Sequence, residues 1–245
     1  MKLHFKEHNS VDYNNYSFPY CVYCIKEEGD KYSDIYSQGF LPYTNNLDIE
    51  DEIYYLAKSI RVDLADKIWN SKQKNVFNKF AKIYDENHIK IELKNKAEYI
   101  YDENFDNWCL KNAKNNFLNR ERLKYIQSRL YLKNIMTISY KGELLAHLYV
   151  VRQESNFLHV WFNFYDLKKD MNDFGKWIIL QAIQWTKDNN YKYFYIGTCY
   201  SRSAFYKLTL SPKVQYFDGM GWNNDISNLK KRLLSERELK KVSKY

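Results

Sequence analysis

The sequence predicts an α+β protein, a mixed sheet flanked by helices with a small N-terminal appendage. Three observations carry that expectation. The β-rich runs Ile135 to Tyr140, Leu144 to Val151 and Phe157 to Phe164 follow one another with short turns between them. Residues 174–188 then read as a helix, with Gly175 at its entrance and Trp177, Ile178, Leu180, Gln181 and Trp185 along it. A further strand, Tyr191 to Ile196, completes a β–α–β unit.

The other elements follow in chain order. Residues 1–30 read as irregular and hold Cys21 and Cys24. Tyr32 to Gln38 reads as a short helix ended by Gly39. Tyr54 to Val62 alternates as a strand does. Ser71 is the expected N-cap of a helix through Tyr84, because Val76, Phe77, Phe80, Ala81 and Tyr84 recur at three-to-four spacing behind it. Ile89 to Leu93 alternates with Lys90 and Glu92, the pattern of a half-buried strand. Residues 104–131 read as helical, in two pieces. Gly142 and Glu154-Ser155-Asn156 supply the turns of the β-rich stretch. Beyond it come a short helix from Ser203 to Leu208, a strand from Val214 to Phe217, and a basic helix over 226–242. The expected division is an N-terminal region 1–100 and a sheet domain 101–245, or one body made of both.

At 245 residues with 45% apolar content the chain can bury a sizeable core. Tyr is heavy at 24 residues, beside 14 Phe and 6 Trp. Such rings give large contact areas, and Tyr and Trp keep a polar handle. The net charge is +8 and the pI about 9.0, a balance that attracts phosphate backbones. Lys72, Lys74, Lys79 and Lys82 share one helical run, Arg120, Arg122, Lys124 and Arg129 another, and Lys230, Lys231 and Arg232 open the tail. A solvated helix face is the competing reading of each. The opening Met1-Lys2-Leu3-His4-Phe5-Lys6 has no apolar core, and no run approaches a membrane span. The expectation is a cytoplasmic protein with no membrane partner and reduced thiols.

Three strands, helix, strand, helix, strand is the order of the second half of a GNAT-type acyltransferase, so the sheet is expected to be GNAT-like. Three segments then resemble arginyl-tRNA–protein transferases and their bacterial leucyl-transferring relatives. Gly39-Phe40 after a short helix is similar to that family's Tyr…Gly-Phe/Trp segment. Ser59-Ile60-Arg61-Val62-Asp63 followed by Ser71-Lys72-Gln73-Lys74 looks like its Arg-containing strand and Ser-x-x-Gln-Arg/Lys helix entrance. Phe164-Tyr165-Asp166, Gly175, Tyr193 to Gly197 and Phe205-Tyr206-Lys207 match its Tyr-Tyr-Asp, Leu-Gly, Tyr-x-Tyr-x-Gly and Met-x-Tyr-Lys landmarks in order. The resemblance covers roughly residues 20–220. It implies transfer of an amino acid from tRNA to a free amine, a protein or peptide N-terminus, with tRNA as partner and aminoacyl-tRNA as co-substrate in place of a cofactor.

The chain also departs from the family. Eukaryotic-type members add a second cysteine pair and bind a metal or iron–sulfur cluster; here Tyr54-Tyr55 stands about where that pair would lie. Two thiols do not complete a four-ligand site, so no metal is expected. Leu41-Pro42 replaces the family's double arginine.

An aminoacyl ester is already activated, so the chemistry needs a neutral amine, positioning and oxyanion stabilisation rather than a nucleophilic triad. Asp166, at the end of a strand, is the candidate to orient the attacking ammonium and accept its proton; capping the turn is the alternative. Lys207 is the second catalytic candidate, to hold a carboxylate or phosphate near the acyl carbon. Arg61 is a cation in mid-strand and a candidate anion contact, with an ion pair to Asp63 or Asp66 competing. Gln73 and Lys74 are expected to touch the tRNA end, and Gly175 to let a phosphate approach a helix N-terminus. The resemblance adds Tyr165, Tyr195 and Tyr206 to the binding set. His147 and His159, on adjacent strands, read as satisfied core histidines or as a facing pair. Two other functions compete: a GNAT N-acyltransferase using acyl-CoA, and a non-catalytic RNA-binding module. Against the first, Met171 to Trp177 holds one Gly and an Asp where a pyrophosphate loop would sit; against the second, the aromatic patterns of common RNA folds are missing.

Overall fold

A computed structural model describes residues 1–7, 20–99, 103–113, 118–167, 171–200 and 202–242. The first half runs β1 (Lys2–Glu7), β2 (Tyr20–Ile25), α1 (Tyr32–Ser37), β3 (Phe40–Pro42), β4 (Ile53–Leu56), β5 (Ser59–Asp63), α2 (Ser71–Ala81) and β6 (Ile89–Asn95). Next come α3 (Glu103–Lys111), α4 (Arg120–Ser128), β7 (Asn134–Tyr140), β8 (Glu143–Gln153), β9 (Phe157–Tyr165) and α5 (Phe174–Asp188). The chain then forms β10 (Tyr193–Thr198), a 3-10 helix (Arg202–Thr209), β11 (Val214–Phe217), β12 (Trp222–Asn223) and α6 (Ile226–Val242). Among the described residues no helix is long and apolar enough to cross a membrane.

The expected mixed sheet flanked by helices is present. Eight strands lie in the order β12-β11-β5-β10-β9-β8-β7-β6, and all neighbours are antiparallel except β9 and β10. Alternation along the strands sends Ile60, Val62, Met136, Ile138, Leu148, Val150, Leu158 and Phe194 to one face. There α2 and α5 cover them, with Phe80 stacked on Trp177 at 5.0 Å and Tyr84 on the same indole at 5.0 Å. Ile178 and Leu180 are buried in this layer and Trp185 packs at its margin. Leu229 and Leu233 of α6 join it. The opposite face carries two clusters. Ile135, Tyr149 and Phe164 pack with Cys109, Leu123 and Ile126 of α3 and α4. Val151, Phe157 and Tyr195 pack under α1 and a second, four-stranded sheet ordered β1-β2-β4-β3.

Local sequence explains most boundaries and misplaces a few. Residues 1–30 are not irregular throughout: β1 and β2 pair antiparallel from Lys2↔Ile25 to Glu7↔Tyr20, while 8–19, with His8, lie outside the described residues. The stretch expected as one strand from Tyr54 to Val62 is two. β4 belongs to the small sheet and β5 to the large one, and the chain turns between them where the Ala57 amide and the Ser59 hydroxyl both donate to the Gly39 carbonyl (3.3 and 2.6 Å). Residues on both sides of the break are buried, so alternation gives no sign of it. The cap of α2 is Asn70 rather than Ser71, in a capping box: Asn70 accepts from the Lys72 amide at 2.9 Å, and Gln73 Oε1 accepts from the Asn70 amide at 3.0 Å. The helix ends at Ala81, short of Tyr84. β5 and β6, both before residue 100, are strands of the large sheet.

Candidate active site at the splayed strands

The large sheet opens at its one parallel pair. β9 and β10 are in register only over Tyr193↔Phe157, Phe194↔Leu158 and Tyr195↔His159. Beyond that point β9 runs on to Tyr165, paired with β8 on its other side. β10 bulges: its register with β5 jumps from Tyr195↔Arg61 to Gly197↔Ile60. Gly197 has φ +81°, a backbone region costly for any residue with a Cβ. The two strands therefore diverge toward their carboxyl ends, leaving main-chain groups without a ladder between them. Crevices outside the carboxyl ends of parallel strands are where open sheets bind ligands.

Lys207, on the 3-10 helix, reaches into this opening. Its ammonium donates to the Thr198 carbonyl at 2.9 Å and would lie 3.5 Å from a Cβ at Gly197. Burial lowers its pKa to about 8, opposed by the neighbouring Cys199. Among the described residues no carboxylate pairs with it. At the floor stands His159, 2% exposed, sharing a 2.9 Å hydrogen bond between Nδ1 and the Tyr36 hydroxyl. Burial, then the Lys207 charge, lowers its pKa to about 3, so it stays neutral. His147 does not face it: its Nδ1 lies 3.2 Å from the Tyr99 hydroxyl in the cluster under α3.

The other wall is the end of β9. The Asp166 amide donates to the Leu145 carbonyl at 3.0 Å, carrying the ladder one residue past the strand and leaving Asp166 partly exposed at its mouth. Tyr165 is buried with its ring against Phe174. A Cβ on Gly175 would sit 2.6 Å from Tyr165 Cζ and Oη, so the space that glycine leaves is filled by the phenol rather than open to a phosphate. Asp173, before it, has φ +70° and its side chain does not cap α5. Tyr206 is 45% exposed, and burial of its hydroxyl followed by the Tyr165 phenol raises its pKa. Asp166, Tyr165 and Gly175 thus lie on the β9 side, with Tyr206 beside Tyr165, and Lys207 lies on the β10 side.

The remaining expected residues lie elsewhere. Arg61 is 7% exposed, its guanidinium stacked between Tyr193 (3.8 Å) and Trp222 (4.0 Å). Nε donates to Gln215 Oε1 at 2.8 Å and Nη1 to the Tyr195 hydroxyl at 3.3 Å. Neither expected acid pairs with it: Asp63 accepts from the Ala65 amide and Asp66 lies 3.6 Å from Lys213. Tyr195 is buried on the same face and donates to the Tyr36 carbonyl at 3.3 Å; burial pushes its pKa up to about 12, with Arg61 opposing. Gln73 is 1% exposed and spent inside the protein, with Nε2 donating to the Thr209 carbonyl at 2.6 Å. Of the two residues expected at a tRNA end, only Lys74 is on the surface. A groove of about 370 Å³ lined by Trp69, Phe77, Ile89 and Gln184 lies by edge strand β6, away from this constellation.

The cysteines do not form the family's cluster site. In the register of β2 and β4, Cys24 faces Tyr54 and Tyr23 faces Tyr55, so phenols occupy the neighbouring positions. Cys24 is fully buried, and burial pushes its pKa up to about 11. This donor set does not fit a four-thiolate centre.

Sequence reasoning passed over Lys58 and gave His159, Cys199 and Lys230 no place in the site. The glycine inside a strand pattern, Gly197, was a readable bulge signal; the lysines carry none, since only the tertiary fold brings them together.

The family model for arginine-tRNA-protein transferase, C terminus, matches residues 73–216. No curated protein sequence matches the chain. Among solved structures, the L-PGS of Bacillus licheniformis is 14% identical, with 72% of this chain and 55% of that one covered and a TM-score of 0.41. A C-terminal domain from Agrobacterium fabrum, described as lysylphosphatidylglycerol synthetase, is 14% identical over 69% and 51% of the two chains, with a TM-score of 0.41. The chain spans about half the length of these two structures, and likeness at that level carries no functional argument.

Proposed function

Because the chain belongs to the arginine-tRNA-protein transferase family, we propose that it moves an amino acid from a tRNA onto a free amine, with a protein or peptide N-terminus as acceptor. The observation that carries this reading is the Lys207 ammonium, paired with no described carboxylate, at the end of β10 where it parts from β9. The amine attacks the ester carbonyl, the carbonyl oxygen becomes an oxyanion, and collapse releases the ribose hydroxyl. Lys207 is suited to hold the oxyanion or protonate the leaving ribose oxygen. Asp166 is suited to hold the ammonium and accept the proton the amine loses. Tyr165 and Tyr206 flank the acyl group, and Arg61 stands behind Tyr195 as a positioning residue. No cofactor enters this scheme, and the reaction belongs in the cytoplasm, where aminoacylated tRNA is made.

The packing of Tyr165 onto Gly175 favours this over acyl-CoA transfer, because the start of α5 offers a pyrophosphate no exposed glycine. The test is transfer of radiolabel from a mixture of aminoacyl-tRNAs to a peptide with a free N-terminus, beside acetyl-CoA as donor. Label on the peptide from tRNA and none from acetyl-CoA is the expected result; the reverse would sink the proposal.

A further inference from the structure

Three lysines from three separate elements lie around the carboxyl end of β10. Lys207 comes from the 3-10 helix and holds the Thr198 carbonyl. Lys58 comes from the β4–β5 turn: its carbonyl accepts from the Cys199 amide at 3.0 Å, and its ammonium lies 5.9 Å from the centre of the Tyr200 ring. Lys230 comes from α6, its ammonium 6.0 Å from the centre of the Phe205 ring. All three charges act on the buried Cys199 thiol, which burial raises and they oppose. Like charges acting on one thiol also repel one another, and no ion pair among the described residues relieves Lys207 or Lys230. A cluster of this kind is complementary to a polyanion. Its aromatic interleaving matters too, because cations that follow a backbone and rings that take unstacked bases are how single-stranded nucleic acid is held without sequence readout.

We infer that Lys58 and Lys230, with the rings of Tyr200 and Phe205, form a seat for the phosphodiester backbone of a single-stranded RNA end that enters the gap past Lys207. The inference rests on the proposed tRNA-dependent reaction and adds where the RNA end lies and which residues hold it. Two neighbouring phosphates bridged by Lys58 and Lys230 would point the 3′ terminus between β9 and β10.

The probe is a fluorescein-labelled RNA hexamer ending in 3′-CCA, titrated by anisotropy across a salt series, with transfer from aminoacyl-tRNA measured in parallel. Wild type should bind, with affinity falling as salt rises. The Lys58→Gln/Lys230→Gln variant should bind at least about tenfold more weakly, with a salt slope shallower by about 1.4, because each single-strand phosphate left without its cation lowers the slope by roughly 0.7. Its KM for aminoacyl-tRNA should rise while kcat at saturation stays within about threefold. Lys58→Arg/Lys230→Arg should restore binding, since both cations serve a phosphate. Wild-type binding unchanged in affinity and slope by the Gln pair would overturn the seat while leaving the reaction standing, and so would a weakening in the Arg pair as large as in the Gln pair. No hexamer binding by wild type would also overturn it. Absence of tRNA-dependent transfer by wild type would instead count against the reaction itself.

Discussion

The roles proposed for Lys207 and Asp166 are separable by substitution. A lysine whose pKa is lowered from 10.5 to about 8 weakens the fold at neutral pH, because the folded state resists the charge that the unfolded state carries freely. The sign follows: its contribution is fully present above pH 10.5 and is lost as pH falls through about 8. Lys207→Met should therefore keep or raise the melting temperature at pH 7 while lowering kcat/KM for transfer by about 10²–10³, the range for losing one group that stabilises developing charge. Wild-type transfer should also decline above pH about 8 as the ammonium is lost, and the Met variant should lack that decline. A variant that loses stability and activity in proportion would make Lys207 a packing residue. Asp166→Asn keeps size and capping ability but can neither hold an ammonium by charge nor take its proton. It should lower the transfer rate at saturating aminoacyl-tRNA by about 10²–10⁴, with RNA affinity kept. A rate within about threefold of wild type at every pH would remove Asp166 from the reaction.

At the scale of elements, the opening exists because two strands part and a helix start is pinned beside them. Tyr165 occupies the space left by Gly175, locking the end of β9 to the first turn of α5. Gly175→Ala puts a methyl 2.6 Å from Tyr165 Cζ and Oη, so something must shift. Overpacking of this kind costs about 1–3 kcal/mol, and urea denaturation should read it as a lowered midpoint at unchanged slope. The displaced phenol should also disturb transfer. Tyr165→Leu in the Gly175→Ala background should recover part of the stability, and a strictly additive double mutant would break the claim that the two positions act as one contact. The β–α–β pattern and the meander before it were legible because their strands alternate and α5 is amphipathic in isolation. The break between β4 and β5 was not, since Tyr54, Tyr55, Ile60, Arg61 and Val62 are buried on both sides of it. The cap of α2 was off by one because Asn70 and Ser71 are both capable, and only the reciprocal bond with Gln73 chooses between them.

For the whole molecule, the two buried histidines tie stability to pH. Burial lowers His147 from 6.5 to about 4 and His159 to about 3, with Lys94 and Lys207 adding to the effect. The unfolded chain takes up these protons near pH 6.5, whereas the folded chain resists until about pH 4 and 3. Stability is thus present above pH 6.5 and lost as pH falls toward 3, by roughly 3–5 kcal/mol per histidine over the full range. Urea midpoints should drop steeply between pH 7 and 4.5, and His147→Gln/His159→Gln should flatten that drop. An identical pH dependence in the double variant would place the acid sensitivity elsewhere.

By itself the sequence determined the period of the strands, the apolar face of α5, the ordered landmarks from Tyr165 to Lys207, and the basic charge. These are properties of short windows, where backbone geometry and side-chain spacing speak directly. Tertiary structure alone decided that Gln73 turns inward, that Gly175 serves Tyr165, that Arg61 is held by Tyr193, Trp222 and Gln215, and that Tyr54 faces Cys24 where another thiol would be needed. It also gathered Lys58, Lys207 and Lys230, which lie far apart in the chain. The physical reason is that a side chain's role depends on what desolvates and contacts it, and those neighbours come from strands and helices distant in sequence.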